Sequence, residues 1–340
     1  MKTIQVVMPE PFKCTVQEAE LPALKAGEAL IKCESSAISA GTELAVYTGI
    51  HQWLNDPTRT WPRFPFIPGY SGVGRVLEVG EGVTRVKAGD RVIYAARHES
   101  HTVMGVEDPQ AFVYPINDSV PPQFASFLGL ARFPFSALVQ SATIIGQCVV
   151  VMGLGTIGQI ATRLYAAAGA HPLIGLDMVQ SRRALAQKVP GITATLDPTD
   201  PALKDKLRAL NYGKLPDIVV DATGFPQTVK TAMNIVQDGG RVVMVGSPRG
   251  IAGDVDFYWD LHGRSITLIG AHGSAIGQEP RDKFPFVVSR AMHLLINLLE
   301  TERVKLNDIV THVADAEEAK EMYDGLLNDK ENFHAVAFRW

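Results

Sequence analysis

The stretch that decides the fold is Cys148-Val149-Val150-Val151-Met152, followed at once by Gly153-Leu154-Gly155-Thr156-Ile157-Gly158. A continuous apolar run of this kind is what a parallel strand buried on both faces requires. GxGxxG alone is weak evidence; here it follows a strand pattern and opens a helical one, which is the context that gives it meaning. Gly153 permits the tight turn, Gly155 lets the backbone approach a pyrophosphate, and Gly158 lets helix and strand pack closely. The pyrophosphate then rests against free N–H groups at a helix N-terminus. Asp177 ends the next predicted strand, where a carboxylate accepts hydrogen bonds from the adenosine ribose and repels a 2′-phosphate. The expected cofactor is therefore NAD(H). Arg182 and Arg183 follow and could attract a 2′-phosphate, but Asp177 holds the nearer position.

Downstream of the motif the patterns alternate. Helix is expected over 159–168, 182–189 and 228–236, and strand over 172–176, 217–221, 241–245 and 265–270. Such alternation predicts an α/β Rossmann domain with a doubly wound parallel sheet. Upstream, short runs over 3–7, 28–33, 72–79 and 90–94, bounded by Gly, Pro and Asp, read as strands joined by tight turns. Residues 124–141 read as helix. Helices over 286–299 and 316–328 and a strand over 334–338 complete the tail.

The bulk properties exclude several classes of function. At 340 residues the chain suits two domains better than one core. A net charge of -4 with no block of like charge gives no reason to expect nucleic acid or a membrane surface as partner. No apolar stretch is long enough to span a bilayer, and Pro9 and Glu10 interrupt the N-terminal run before a secretory signal forms. Three cysteines, Cys14, Cys33 and Cys148, with no CxxC pair, support neither a disulfide framework nor a thiolate metal site, and point to the cytoplasm.

With these motifs in place the chain resembles the medium-chain dehydrogenase/reductase superfamily, the alcohol-dehydrogenase-like group, over essentially its whole length. PGYSGVGRVLEVGEGVTRVKAGDRV is similar to the β-rich, GroES-like catalytic domain of that group. The resemblance implies a catalytic domain over 1–122 and 272–340 and a Rossmann domain over 123–271. It places Asp177, Met178, Arg182, Ala222, Thr223 and Gly224 beside the adenosine, Val245, Gly246, Ser247, Ala271 and His272 near the nicotinamide, and His334 near the pyrophosphate.

The departures from the family pattern are equally informative. Where zinc-dependent members carry a Cys in a CGTD-like segment, this chain has Ser39 in AISAGTE, with one extra residue. Where they carry a GHE histidine, it has Gly69-Tyr70-Ser71, and the third ligand position falls at Leu128. Catalytic zinc needs three protein ligands of N, S or carboxylate type. No metal is therefore expected. The Ser36-to-Glu43 segment together with PGY is similar to a zinc-less branch that includes bacteriochlorophyllide a dehydrogenase and bi-domain oxidoreductases.

Without zinc, hydroxyl groups must polarise the substrate oxygen and move its proton. The resemblance makes Thr42 the relay, Ser39 and Tyr70 the holders of the oxygen, and Glu43 a supporting carboxylate. The alternatives are capping hydroxyls for Ser39 and Thr42 and a space-filling aromatic for Tyr70. Arg132 either pairs with an anionic substrate or cofactor phosphate, or lies in a salt bridge at the domain edge. His51, Trp53 and Trp61 either line a wide aromatic pocket or pack on the domain surface. His98, Glu99 and His101 share a face only if helical; a surface loop is the expected setting.

The reading that follows is an NAD(H)-dependent, zinc-independent dehydrogenase of a secondary alcohol or ketone, a small molecule such as a sugar or polyol. A quinone or enone reductase and a non-catalytic NAD(H)-binding sensor are the alternatives. The apolar strand over 265–270 is expected to pair across a two-fold axis in a homodimer or homotetramer.

Overall fold

The computed structural model describes residues 1–273, 276–277 and 287–340. The chain divides into two compact units, one of Met1–Leu130, Met292–Glu302 and Val310–Trp340, the other of Ala131–Ala291 and Arg303–Ile309. The divisions that the resemblance implies fall at 122/123 and 271/272. The observed ones at 130/131 and 291/292 fall inside two helices, where no residue type marks a change of unit.

The first unit contains β1 (Lys2–Val7), β2 (Thr15–Glu20), β3 (Glu28–Ala37), α1 (Ala40–Tyr47), β4 (Gly72–Val79), β5 (Arg91–Tyr94), β6 (His101–Gly105), β7 (Val113–Pro115) and α2 (Pro122–Ala125). β1 and β2 form a hairpin, and the larger sheet runs β14-β15-β3-β4-β5-β7, with β6 on β3; β14 (Val310–Ala314) and β15 (Ala335–Arg339) come from the far end of the chain. The turn glycines Gly82 and Gly89 adopt positive φ, as tight turns require. One core cluster joins Val6, Ile38, Tyr47, Tyr323 and Phe338, and so seats α1 against α9 (Ala319–Asn328).

The helix expected over 124–141 is two helices, α2 and α3 (Leu128–Gln140). Between them the ladder tightens: Phe127 N–H bonds to Phe124 O, while the Ser126 carbonyl is taken by the Ser71 hydroxyl.

The second unit is a six-stranded, all-parallel sheet in the order β10-β9-β8-β11-β12-β13. Its strands are β8 (Val149–Met152), β9 (Leu173–Leu176), β10 (Ala194–Leu196), β11 (Ile218–Asp221), β12 (Arg241–Met244) and β13 (Thr267–Gly270), with α4 (Thr156–Ala167), α5 (Gln180–Ala186), α6 (Leu203–Leu210) and α7 (Thr228–Ile235) between them. Val150 packs on one face with Leu207 and Ala232, and Val149 and Val151 on the other with Ala161 and Tyr165. That is why 148–152 is apolar without alternation. The order reverses at β8/β11, the switch point at which open α/β sheets bind ligands. β10 and α6 were not read from the sequence; a three-residue strand within ATLDPTDP carries no periodicity. α8 (Val288–Glu300) occupies most of the helix expected over 286–299, of which Phe286 lies outside the described residues. Among the described residues no helix is long and apolar enough to cross a membrane.

Candidate functional site

In the second unit Gly153 leaves β8 at φ +83°, and a Cβ there would lie 2.9 Å from the Thr223 backbone nitrogen at the end of β11. A Cβ on Gly158 would lie 1.8 Å from Gly153 O, so α4 and the turn are in direct contact. Gly155, the N-cap of α4, has an ordinary φ of -67°, and its nearest neighbour would be Arg182 Nη1 at 3.7 Å. At this helix N-terminus, a kind of place that suits an anion in general, a Cβ on Gly155 would meet only the end of the Arg182 side chain. Leu154 is fully buried beneath the loop, and Thr156 and Ile157 begin α4.

Asp177, buried at the end of β9, accepts from Leu154 N at 2.6 Å and Val179 N at 2.8 Å, and so ties the glycine turn to the neighbouring strand. Arg183 donates to the Asp177 and Met178 carbonyls and reaches Asp197, so its guanidinium is spent on the turn, whereas Arg182 lies over Gly155. Met178 is exposed. At the end of β11, Asp221 accepts from Thr223 N, Thr223 Oγ1 and Thr228 Oγ1, which shapes Ala222-Thr223-Gly224. Val245 N and Gly246 N both donate to Asp221 O, and a Cβ on Gly246 would lie 2.5 Å from Gly224 N. Ser247 is exposed; Ala271 N donates to Met244 O, and the exposed His272 follows it. The carboxyl ends of β8, β9, β11, β12 and β13 thus carry all these residues. Arg132 lies in α3, with its guanidinium 5.3 Å above the Phe133 ring. His334 belongs to the first unit, where its N–H donates to Thr311 Oγ1 and its Nε2 to Glu331 O.

In the first unit Ser39 is the N-cap of α1, yet it makes no side-chain cap bond. Its hydroxyl bonds instead to the Tyr70 hydroxyl. The capping alternative for Ser39 is therefore set aside by the geometry. The Thr42 hydroxyl, one turn into α1, makes no hydrogen bond among the described residues. Glu43 is 1% exposed and accepts from Ser39 N at 2.9 Å, His98 Nε2 at 3.0 Å and Tyr323 OH at 2.6 Å. Burial and the Glu43 charge push the Tyr323 phenol well above its ordinary range, so it stays a donor.

His98 is the residue sequence reasoning misplaced. It lies in no surface loop but is fully buried, with Nδ1 2.8 Å from Ser36 Oγ and Nε2 on Glu43. Gly69 makes room for it: at φ +97° a Cβ there would lie 2.6 Å from His98 N, and His98 N–H donates to Pro68 O. His101 turns elsewhere, with Nδ1 3.1 Å from Ser100 Oγ, and burial lowers its pKa. Burial raises the Glu99 carboxyl. The three side chains do not converge as metal ligands.

Ser39, Tyr70 and Leu128, which the resemblance sets at the family's ligand positions, do not have the chemistry to hold a zinc ion. Ser39 and Tyr70 bond to each other, and Leu128 is a buried hydrocarbon. Among the described residues no group of three or more His, Cys, Asp or Glu converges. Burial pushes the thiols of Cys14, Cys33 and Cys148 up to about 12, and none of them belongs to a group of three or more possible metal ligands among the described residues.

The 51–66 segment is a folded loop in which His51, Trp53 and Trp61 pack edge to face at 5.4–6.0 Å. Arg63 donates to the carbonyls of Trp53, Leu54, Asp56, Arg59 and Pro62. Trp61 stays 43% exposed, so the cluster packs on itself and still presents one aromatic face.

Residues 25–114 match the alcohol dehydrogenase GroES-like domain, and residues 156–290 match the zinc-binding dehydrogenase family. L-threonine 3-dehydrogenase of Bacillus velezensis is 26% identical, with 92% of each chain covered. Among solved structures, 2R,3R-butanediol dehydrogenase from Bacillus subtilis superposes with a TM-score of 0.83 at 18% identity over 99% of both chains. A zinc-binding dehydrogenase from Sinorhizobium meliloti bound to NADP superposes at 0.81 and 19% identity over 100% of both. With one matched domain in each unit and a relative matched along nearly its full length, the chain belongs to the medium-chain dehydrogenase/reductase superfamily, as an alcohol-dehydrogenase-type, pyridine-nucleotide-dependent oxidoreductase.

Proposed function

We propose that this enzyme interconverts a secondary alcohol and a ketone with NAD(H) and without zinc. The observation that carries the reading is the Ser39–Tyr70 hydroxyl pair, which stands where zinc-dependent relatives are expected to hold their metal. A bound nicotinamide supplies the hydride acceptor, and the chain's own residues handle the oxygen. A hydroxyl can donate to a carbonyl oxygen and accept from an alcohol, so Ser39 and Tyr70 suit both directions of the reaction. The unbonded Thr42 hydroxyl is the next station for the proton. Glu43, with three donors already on it, positions Ser39 and is not itself the base.

The choice of NAD(H) rests on Asp177, whose carboxylate opposes a 2′-phosphate, although a structural neighbour holds NADP. Free, buried cysteines suit a cytoplasmic setting. β13 is the sheet's edge strand, with Thr267, Leu268 and Gly270 exposed, and supports pairing with a second copy; a monomeric mass by light scattering would remove that element.

The decisive experiment is NADH formation by chelator-dialysed protein with NAD and a panel of L-threonine, vicinal diols, sugars and polyols. Turnover that survives chelation is expected. Activity lost on dialysis and restored by zinc overturns the proposal.

A further inference from the structure

We propose that His98 is a positioning residue: through Glu43 it withholds the Ser39 hydroxyl from its own helix and presents it to Tyr70. This rests on the reading that the Ser39–Tyr70 pair serves the substrate oxygen.

A capping box has two halves. The N-cap hydroxyl bonds forward to a helix N–H, and a carboxylate in the first turns bonds back to the N-cap N–H. In α1 only the backward half exists: Glu43 Oε1 holds Ser39 N at 2.9 Å, and the Ser39 hydroxyl makes no cap bond. The backward bond depends on where the carboxylate is pinned. Its other oxygen, Oε2, is held by Tyr323 OH and His98 Nε2, in a pocket where Glu43, His98 and Tyr323 are each 1% exposed or less.

The directions of these bonds follow from the groups. A carboxylate only accepts, so His98 carries a proton on Nε2. Its Nδ1 faces Ser36 Oγ, which also accepts the Trp340 indole N–H at 2.9 Å. The Phe338 ring stands edge-on to the imidazole at 4.9 Å and limits its rotation. Every donor in the cluster therefore points, directly or through His98, at one carboxylate. Loss of the imidazole leaves Glu43 a donor short in a dry pocket, where it must turn to regain one. The Ser39 N–H then loses its fixed partner, and the start of α1 is free to recruit the Ser39 hydroxyl.

The test uses the full-length chain with 13Cζ-labelled tyrosine. The Tyr70 resonance, assigned with Tyr70→Phe, reports on its bond to Ser39 and moves in Ser39→Ala. His98→Leu is expected to reproduce that movement. His98→Gln, whose amide nitrogen can reach the same oxygen, is expected to restore the parent position. With the best alcohol of the panel, His98→Leu lowers kcat about a hundredfold with NADH affinity held within about twofold, and His98→Gln recovers most of it. Should His98→Leu not fold, Tyr323→Phe removes one donor from the same oxygen and moves the resonance in the same direction by less. A Tyr70 resonance unmoved by variants that fold, or a lowered melting temperature with kcat unchanged, overturns the proposal and makes the cluster purely structural. A resonance that moves as expected in a parent with no alcohol turnover upholds the positioning and removes the dehydrogenase reading.

Discussion

The Ser39 hydroxyl does not cap the helix it begins; it bonds to the hydroxyl of Tyr70, thirty-one positions along the chain. A capping serine contributes about 0.5–2 kcal/mol through its own helix, independently of any distant residue, whereas a paired hydroxyl contributes through its partner. Ser39→Ala and Tyr70→Phe are each expected to cost about 1 kcal/mol, and the double variant no more than the costlier single one. Denaturant titration of the four proteins measures this coupling; full additivity would restore Ser39 to an ordinary cap. In the same variants kcat is expected to fall about a hundredfold or more.

The glycines of the turn after β8 separate fold from binding. Gly158→Ala drives a methyl into the Gly153 carbonyl and is expected to lower the melting temperature by several degrees. Gly155→Ala meets only the flexible end of Arg182 and has no strained φ. It is expected to leave the melting temperature unchanged and weaken NADH binding about tenfold or more, read by nicotinamide fluorescence. Equal NADH affinity in Gly155→Ala and parent would mean that the cofactor does not lie against this loop.

Asp177 holds two backbone N–H groups as well as its charge. Asp177→Asn removes the charge and keeps an acceptor. The expected result is a kcat/KM ratio of NAD to NADP lowered about tenfold, about 1.4 kcal/mol. An unchanged ratio would show that Arg182, or a contact not made by this carboxylate, decides the coenzyme.

Cys14, Cys33 and Cys148 make stability depend on alkaline pH. Burial raises each thiol from 9.0 to about 12, so above pH 9 the unfolded chain has released protons that the folded chain retains. Fewer protons in the unfolded state mean that stability falls as pH rises. This contribution is whole below pH 9 and is lost progressively towards pH 12. Urea midpoints taken from pH 8 upward should decline from about pH 9, and a Cys33→Ala variant should decline less steeply. At pH 8 a thiol reagent should label the three cysteines only after denaturant is added.

The parallel sheet was readable because its central strands β8, β9 and β11 are buried on both faces and leave apolar runs, and because Gly153 and Gly158 answer two separate steric demands. The hydroxyl pair was partly readable: Ser39 and Tyr70 stood out as departures from a metal-binding pattern, but their contact joins segments far apart in sequence. His98 was not readable as a core residue. A buried imidazole is polar in sequence like a surface one, and only the partners Ser36 and Glu43, with the gap left by Gly69, make its burial affordable. Tyr323 was hidden for the same reason: its side chain reaches Glu43 from α9, two hundred and eighty positions away.

The five carbonyls gathered by Arg63 set the path of the 51–66 loop without reference to what the loop's side chains are. Every residue type carries a carbonyl, so these five acceptors stay the same whichever side chains stand at those positions. A surface organised in this way can be rewritten one position at a time, with the wiring left intact: Arg63 is the fixed point about which the loop's chemistry is free to vary.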